Sequence, residues 1–197
     1  MLVLLVLACV IPEAILSISS GYFRGWIYQN FAFWPGLLQG WSGNYPGQWA
    51  LMFVSYAFLH GGVLHLSFNM LTLVSLGRPL VDALGQLRFL VLYLLSALGG
   101  AGVYALLAHD PVPMVGASGA LFGLAGALVG EQISLARKNG GAAAAWKALI
   151  PPSLFLIGIN VVMYVTLSGQ LAWQTHLGGF LSGLAVMAAL QHQQHGS

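Results

Sequence analysis

The sequence predicts an all-α membrane protein, a bundle of six transmembrane helices whose first outer loop lies partly in the membrane. Three observations support this prediction. Of the 197 residues, 58% are hydrophobic and only 5% are charged, too few polar groups to cover the surface of a soluble domain. The apolar residues form separate segments long enough to cross a hydrocarbon core about 30 Å thick. A polar connector rich in aromatic residues separates the first two segments.

Six segments have the length and composition of a membrane span. They are residues 1–19, 52–76, 87–108, 117–134, 148–168 and 173–191. The first segment could be a signal peptide ending near Cys9, but no positive charge precedes it and the apolar run continues past that residue. We therefore expect a retained helix in which Cys9 serves packing. No separate soluble module is visible, so residues 1–197 are expected to form a single domain.

The connector, residues 21–48, is too polar to span a membrane. It contains one charged residue, Arg24, and many aromatic side chains. Tyrosine and tryptophan concentrate at membrane interfaces, so we expect this loop to lie half-embedded in the outer leaflet.

Positive charge is distributed unevenly between the predicted loops. Apart from Arg24, the basic residues follow spans two and four; they are Arg78, Arg88, Arg137, Lys138 and Lys147. Basic loops stay in the cytoplasm, which predicts cytoplasmic termini and an outward position for the loop around Asp110. The net charge of +2 is too small to indicate a nucleic-acid partner.

Strongly polar side chains are rare inside membrane spans and usually functional. Those predicted within these spans are His60, His65, Asn69, Ser118, Asn160 and His176. Three of them, His65, Ser118 and His176, lie thirteen to fifteen residues from the predicted cytoplasmic ends of their helices. At the helical rise this is about 20–22 Å, which places all three at one depth below the outer surface. The common depth predicts one site.

Ser118 begins span four in the string VGASGALFG, after a turn at Gly116. A serine there could simply cap the helix, but the free backbone N–H groups of a helix start can also stabilise an oxyanion. His176 lies in the string THLGGFLSG of span six. Glycines including Gly119 and Gly179 allow the two helices to approach closely, so that the imidazole could take the serine proton. A histidine that only packs against a backbone carbonyl is the alternative.

His65 and Asn69 are four residues apart and share a helix face. With the Ser118 backbone amide they could surround an oxyanion, or as a pair they could bridge helices structurally. His60 lies on a different face and is expected to brace the helix start.

Other protease chemistries fit poorly. There is no HExxH motif, which disfavours a membrane zinc protease, and we expect no metal. The two aspartates, Asp82 and Asp110, are predicted in loops on opposite sides of the membrane, which excludes a paired-aspartate site. The remaining acids, Glu13 and Glu131, are not placed to orient His176, so a Ser–His pair without an acid is expected.

From about Trp49 onward the chain resembles the rhomboid family, in its bacterial six-span form. The strings HGGVLHLSFN, GASG and HLGGFLSG lie in that order on spans two, four and six. The resemblance implies Ser118 as nucleophile, His176 as general base, and an oxyanion site of His65, Asn69 and the Ser118 amide. It also implies Phe122 stacked on the histidine.

The expected reaction is hydrolysis of a peptide bond in or beside a transmembrane helix of a substrate protein. It would need no cofactor, metal or ATP, and take place in lipid, in a bacterial inner (plasma) membrane with the site opening outward. Two positions depart from many family members: Leu51 and Met52 replace Trp-Arg, and Phe122 replaces tyrosine. The alternatives are a catalytically idle relative that binds membrane proteins and a small transporter, for which spans four and six lack a polar path.

Overall fold

A computed structural model of the chain describes residues 1–108, 112–166 and 171–195, and the regular structure in these ranges is helical. The α-helices are α1 Leu2–Ile18, α2 Gly21–Phe31, α3 Gln48–Ser55, α4 Val63–Leu84, α5 Gln86–Leu107, α6 Ser118–Thr166 and α7 Trp173–His195. Two short 3-10 helices cover Pro35–Leu38 and Tyr56–Phe58. The six predicted spans fall in order on α1, on α3 with α4, on α5, on the two parts of α6, and on α7.

Several helices are suited to a membrane. Among the described residues, Gln86–Leu107 and Ser118–Gly158 are long and apolar enough to cross one, and α3 with α4 qualifies as a third, broken span. Helix α1 is apolar but shorter. Large apolar side chains also face outward: Leu64, Leu87 and Phe155 are 72%, 72% and 69% exposed. The predicted fold class, an all-α membrane bundle, is confirmed.

Span two was wrongly predicted as one continuous helix over residues 52–76. Helix α3 begins earlier, at Gln48, and the chain bends by 80° before Val63. The bend contains Gly61 and Gly62, and Gly62 has a φ of 126°. Hydropathy averages side chains over a window, so it does not detect a bend that the backbone makes between two apolar helices.

The connector over residues 21–48 contains regular structure that was not predicted. Helix α2 occupies much of it, and the Ser20 side chain caps this helix by accepting a hydrogen bond from the Phe23 backbone N–H at 3.3 Å. Its partial insertion in the membrane stays a prediction.

The basic loops were also wrongly predicted. The five basic residues assigned to loops lie within helices, together with Asp82; they are Arg78, Arg88, Arg137, Lys138 and Lys147. The loop around Asp110 lies outside the described residues. Arginine and lysine are good helix formers, so the helices continue past their apolar segments. Gly85 alone separates α4 from α5, and Gly141 interrupts α6, with φ of 77° and 72°, a backbone region that favours glycine.

Helices α6 and α7 touch backbone to backbone. A Cβ on Gly179 would overlap the Gly119 carbonyl, and one on Gly183 would overlap the Gly123 carbonyl. Lipid supplies no hydrophobic drive for helix association, so such close van der Waals packing is a main source of stability. The predicted close approach is therefore present at these positions. At Gly130 there is more space, since a Cβ added there would lie 3.4 Å from Met187 Cβ, an ordinary van der Waals contact.

We expect Gly183→Ala to lower the free energy of unfolding by about 1–3 kcal/mol, because the added methyl group must separate two packed backbones. Gly130→Ala is the matched control; it should be neutral or stabilising by about 0.5–1 kcal/mol through helix propensity. Unfolding midpoints measured in one detergent compare them. Equal midpoints for the two variants would contradict the packing described here.

Candidate active site

Ser118 is the first residue of α6, and the segment before it is held by backbone hydrogen bonds. Met114 exchanges two with Phe33, at 3.0 and 2.9 Å, and the Gly116 N–H donates to the Tyr56 carbonyl at 3.0 Å. The segment is thus tied both to the connector and to the end of the α3 region. These contacts fix where α6 begins and hence where the half-buried Ser118 hydroxyl lies.

His176 lies in the first turn of α7 and is only 2% exposed. Its Nε2 is 2.9 Å from Ser118 Oγ. The Phe122 ring stacks on the imidazole with ring centroids 4.1 Å apart and an angle of 5° between the planes. The structure therefore brings together these three predicted site residues, with nucleophile and base within hydrogen-bond reach.

The other ring nitrogen of His176 has a partner that sequence reasoning missed. Nδ1 lies 2.6 Å from Asn160 Oδ1, and Asn160 Nδ2 donates to the Leu156 carbonyl at 2.8 Å. The available signal was the presence of an asparagine in an apolar segment. Its position in the sequence gave no indication of which side chain it would contact.

His65 lies in the first turn of α4, with its ring beside Gly116. Its Nδ1 accepts a hydrogen bond from the Gly61 backbone N–H at 3.2 Å, so the proton of the neutral ring is on Nε2. A Cβ on Gly116 would lie 3.0 Å from this Nε2 and 3.8 Å from Ser118 Oγ. The Nε2–H group and the serine hydroxyl therefore both border the space beside Gly116.

Asn69 is buried on α4, at 5% exposure. Its Nδ2 donates to the His65 carbonyl at 2.8 Å. The structure thus places it one helical turn from His65 and, among the described residues, shows no hydrogen bond between it and Ser118.

His60 is fully buried in the bend before α4, and its ring packs edge-on against His65 with centroids 5.3 Å apart. The His60 carbonyl accepts hydrogen bonds from Tyr28 at 2.5 Å and from Arg24 at 3.3 Å. Arg24 also pairs with both oxygens of Glu13, at 2.8 and 3.1 Å. This hydrogen bond to the Glu13 carboxylate raises the pKa of the Arg24 guanidinium. The bend that precedes His65 is therefore held by side chains of α1 and α2.

A family model described as Rhomboid domain matches residues 46–193. The chain belongs to the rhomboid family. The three strings HGGVLHLSFN, GASG and HLGGFLSG, on predicted spans two, four and six, all lie inside the matched range. The rhomboid fold here also includes residues before position 46, since Arg24, which pairs with Glu13, donates a hydrogen bond to the His60 carbonyl.

Curated rhomboid relatives come from plants, bacteria and fungi. RHOMBOID-like protein 5 of Arabidopsis thaliana is 36% identical over 141 residues, 69% of this chain and 42% of that protein. Rhomboid protease GluP of Bacillus subtilis is 33% identical over 141 residues, 67% of this chain and 24% of that protein. Rhomboid-type serine protease 2 of Emericella nidulans is 32% identical over 143 residues, 72% of this chain and 27% of that protein. The chain thus spans less than half the length of these relatives.

Proposed function

We propose that this rhomboid protein is an intramembrane serine endopeptidase that hydrolyses peptide bonds in or next to transmembrane helices of other membrane proteins. The observation that carries the proposal is the 2.9 Å separation between Ser118 Oγ and His176 Nε2. A serine hydroxyl and a buried histidine at this distance have the geometry of a nucleophile and its base. The names of two relatives, a rhomboid protease and a rhomboid-type serine protease, are consistent with it.

In the proposed reaction Ser118 Oγ attacks the carbonyl carbon of the substrate while His176 Nε2 accepts the hydroxyl proton. The tetrahedral intermediate collapses to an acyl-serine, and His176 gives its proton to the departing amine. Water then attacks the ester and loses a proton to His176. As the ester C–O bond breaks, His176 returns this proton to Ser118 Oγ, which releases the carboxylic acid product and regenerates the free serine and the neutral histidine. No step requires a metal ion or ATP.

The oxyanion of the tetrahedral intermediate needs hydrogen-bond donors in place before the reaction. His65 Nε2–H is suited to this because the Gly61 N–H occupies the other nitrogen, which fixes the tautomer. The Ser118 backbone N–H at the start of α6 is a second donor, favoured by the positive end of the helix. The Asn69 amide has one N–H beyond that bonded to His65, and we assign it as the third donor.

The setting proposed for this single-domain protein is a bacterial inner membrane with cytoplasmic termini and a site that opens outward. The orientation rests on the basic residues, which lie near the connections at Gly85 and Gly141, far along α4 and α6 from the level of Ser118. We expect a cysteine introduced at Gly43 to react with an impermeant maleimide in intact cells, and one at Asn139 to react only after lysis. The Cys9→Ser background serves as the control, and the reverse labelling pattern would overturn the orientation.

Ser118→Ala or His176→Ala should each reduce cleavage of a transmembrane test substrate in detergent to the background rate, because both residues act in one chemical step. Ser118→Ala should also abolish labelling by a fluorophosphonate probe. Ser67→Ala is the matched control, since that exposed hydroxyl donates to the Val63 carbonyl of its own helix. Full cleavage by folded Ser118→Ala would refute Ser118 as the nucleophile. Folded wild type that neither cleaves the substrate nor reacts with the probe would favour the idle, protein-binding alternative.

His65→Ala and Asn69→Ala should each lower kcat by about 10–1000-fold, the range for loss of one oxyanion donor, with smaller effects on KM. Asp82→Asn is the control: that exposed side chain lies seventeen residues beyond His65 on α4, about 25 Å away. Steady-state cleavage kinetics separate kcat from KM. Unchanged turnover in both alanine variants would mean that the two residues serve only the structure.

A further inference from the structure

Asn160 lies in the part of α6 that follows Gly141, well separated in sequence from Ser118 and His176. Its Oδ1 is 2.6 Å from Nδ1 of His176, whose Nε2 is 2.9 Å from Ser118 Oγ. The imidazole therefore has a polar partner on each nitrogen. One partner belongs to the start of α6 and the other to its distal part.

The orientation of the Asn160 amide is fixed by its second contact. Nδ2 donates to the Leu156 carbonyl at 2.8 Å. If the amide were turned over, its oxygen would face this carbonyl oxygen, which cannot donate. Oδ1 therefore faces His176 and accepts, so Nδ1 of the histidine carries the proton.

This protonation state determines what Nε2 can do. A neutral imidazole protonated on Nδ1 has a lone pair on Nε2, directed here toward the Ser118 hydroxyl. The other tautomer would place a proton there and could not accept the one on serine. The stacked Phe122 ring restrains the tilt of the imidazole but not its rotation within the ring plane. A hydrogen bond at Nδ1 restrains that rotation.

We infer that Asn160 is a positioning residue that fixes the tautomer and in-plane orientation of His176, so that serine, histidine and asparagine act as one unit. The inference rests on the proposed protease function and adds a residue to it. After His176 takes the serine proton, the amide oxygen also stabilises the imidazolium charge in a site shielded from water. From α4, His65 is a titratable side chain whose charge interacts electrostatically with His176. Asn160 itself carries no charge at any pH.

Two substitutions of similar size test the inference against a purely structural role. Asn160→Leu removes the acceptor, and Asn160→Asp keeps an acceptor but adds a negative charge. Val161→Ala, at the neighbouring exposed position, is the control for changes in this helix and should behave as wild type. For each folded variant, kcat, KM and the pH dependence of kcat/KM are measured on one test substrate, with active sites counted by fluorophosphonate titration.

Asn160→Leu should lower kcat by about 10–100-fold, the scale for losing one hydrogen bond to a charged group, with KM changed less than about twofold. Asn160→Asp should retain more activity than Asn160→Leu at high pH. Because a carboxylate stabilises the imidazolium, the acid limb of its pH profile should move to higher pH by about one unit. If Asn160 served only folding, its substitution would lower the number of titratable active sites. The acid limb of the pH profile would then stay at the wild-type pH.

Wild-type kcat and pH profile in Asn160→Leu would overturn the inference and leave the proposed function intact. If the leucine variant does not fold, an unshifted acid limb in Asn160→Asp overturns it equally. Ser118→Ala is run in parallel: cleavage by that folded variant would refute the proposed function and, with it, the role assigned to Asn160.

Discussion

The distance between the backbones of α6 and α7 is the constraint on which the site depends. Gly119 follows Ser118 directly, and Gly179 lies one helical turn after His176, so contact between these two glycines sets the separation of the hydroxyl and the imidazole. Any side chain at the contact would push the helices apart by more than a hydrogen bond tolerates. Packing that stabilises the bundle and geometry that permits proton transfer are therefore one feature, and neither can change alone.

Each polar group of the site is held from a different direction. The segment before Ser118 bonds to the connector and to the end of the α3 region, while Gly61 fixes the tautomer of His65 and Asn160 that of His176. In a water-poor interior these hydrogen bonds are stronger than at a surface, and an unpartnered donor or acceptor is more costly. The two histidines thus have defined and opposite tautomers, Nε2–H for His65 and Nδ1–H for His176, as expected for a donor and a base.

The sequence predicted the fold class because apolar length and scarce charge directly reflect the cost of exposing polar groups to lipid. Ser118 and His176 were found as neighbours because their depth follows from helical rise, and each depth was counted along a segment that is helical in the structure. The rotation of a helix about its axis and the bends between helices cannot be counted from the sequence in this way. For that reason the 80° bend and the contact of Asn160 with His176 were missed, as was the shortness of the connections at Gly85 and Gly141, where loops were expected.

The hydrogen bonds from Arg24 and Tyr28 to the His60 carbonyl show that residues outside the matched range support the site. Both donors, and the Glu13 carboxylate that orients Arg24, precede the range matched by the family model. A fragment cut at residue 46 would keep each residue assigned to chemistry and yet leave that carbonyl without either side-chain donor. It would also lose Phe33, the partner of Met114 ahead of Ser118. The first two helices are therefore part of the structural unit that supports the site. That unit extends beyond the range that the family model matches.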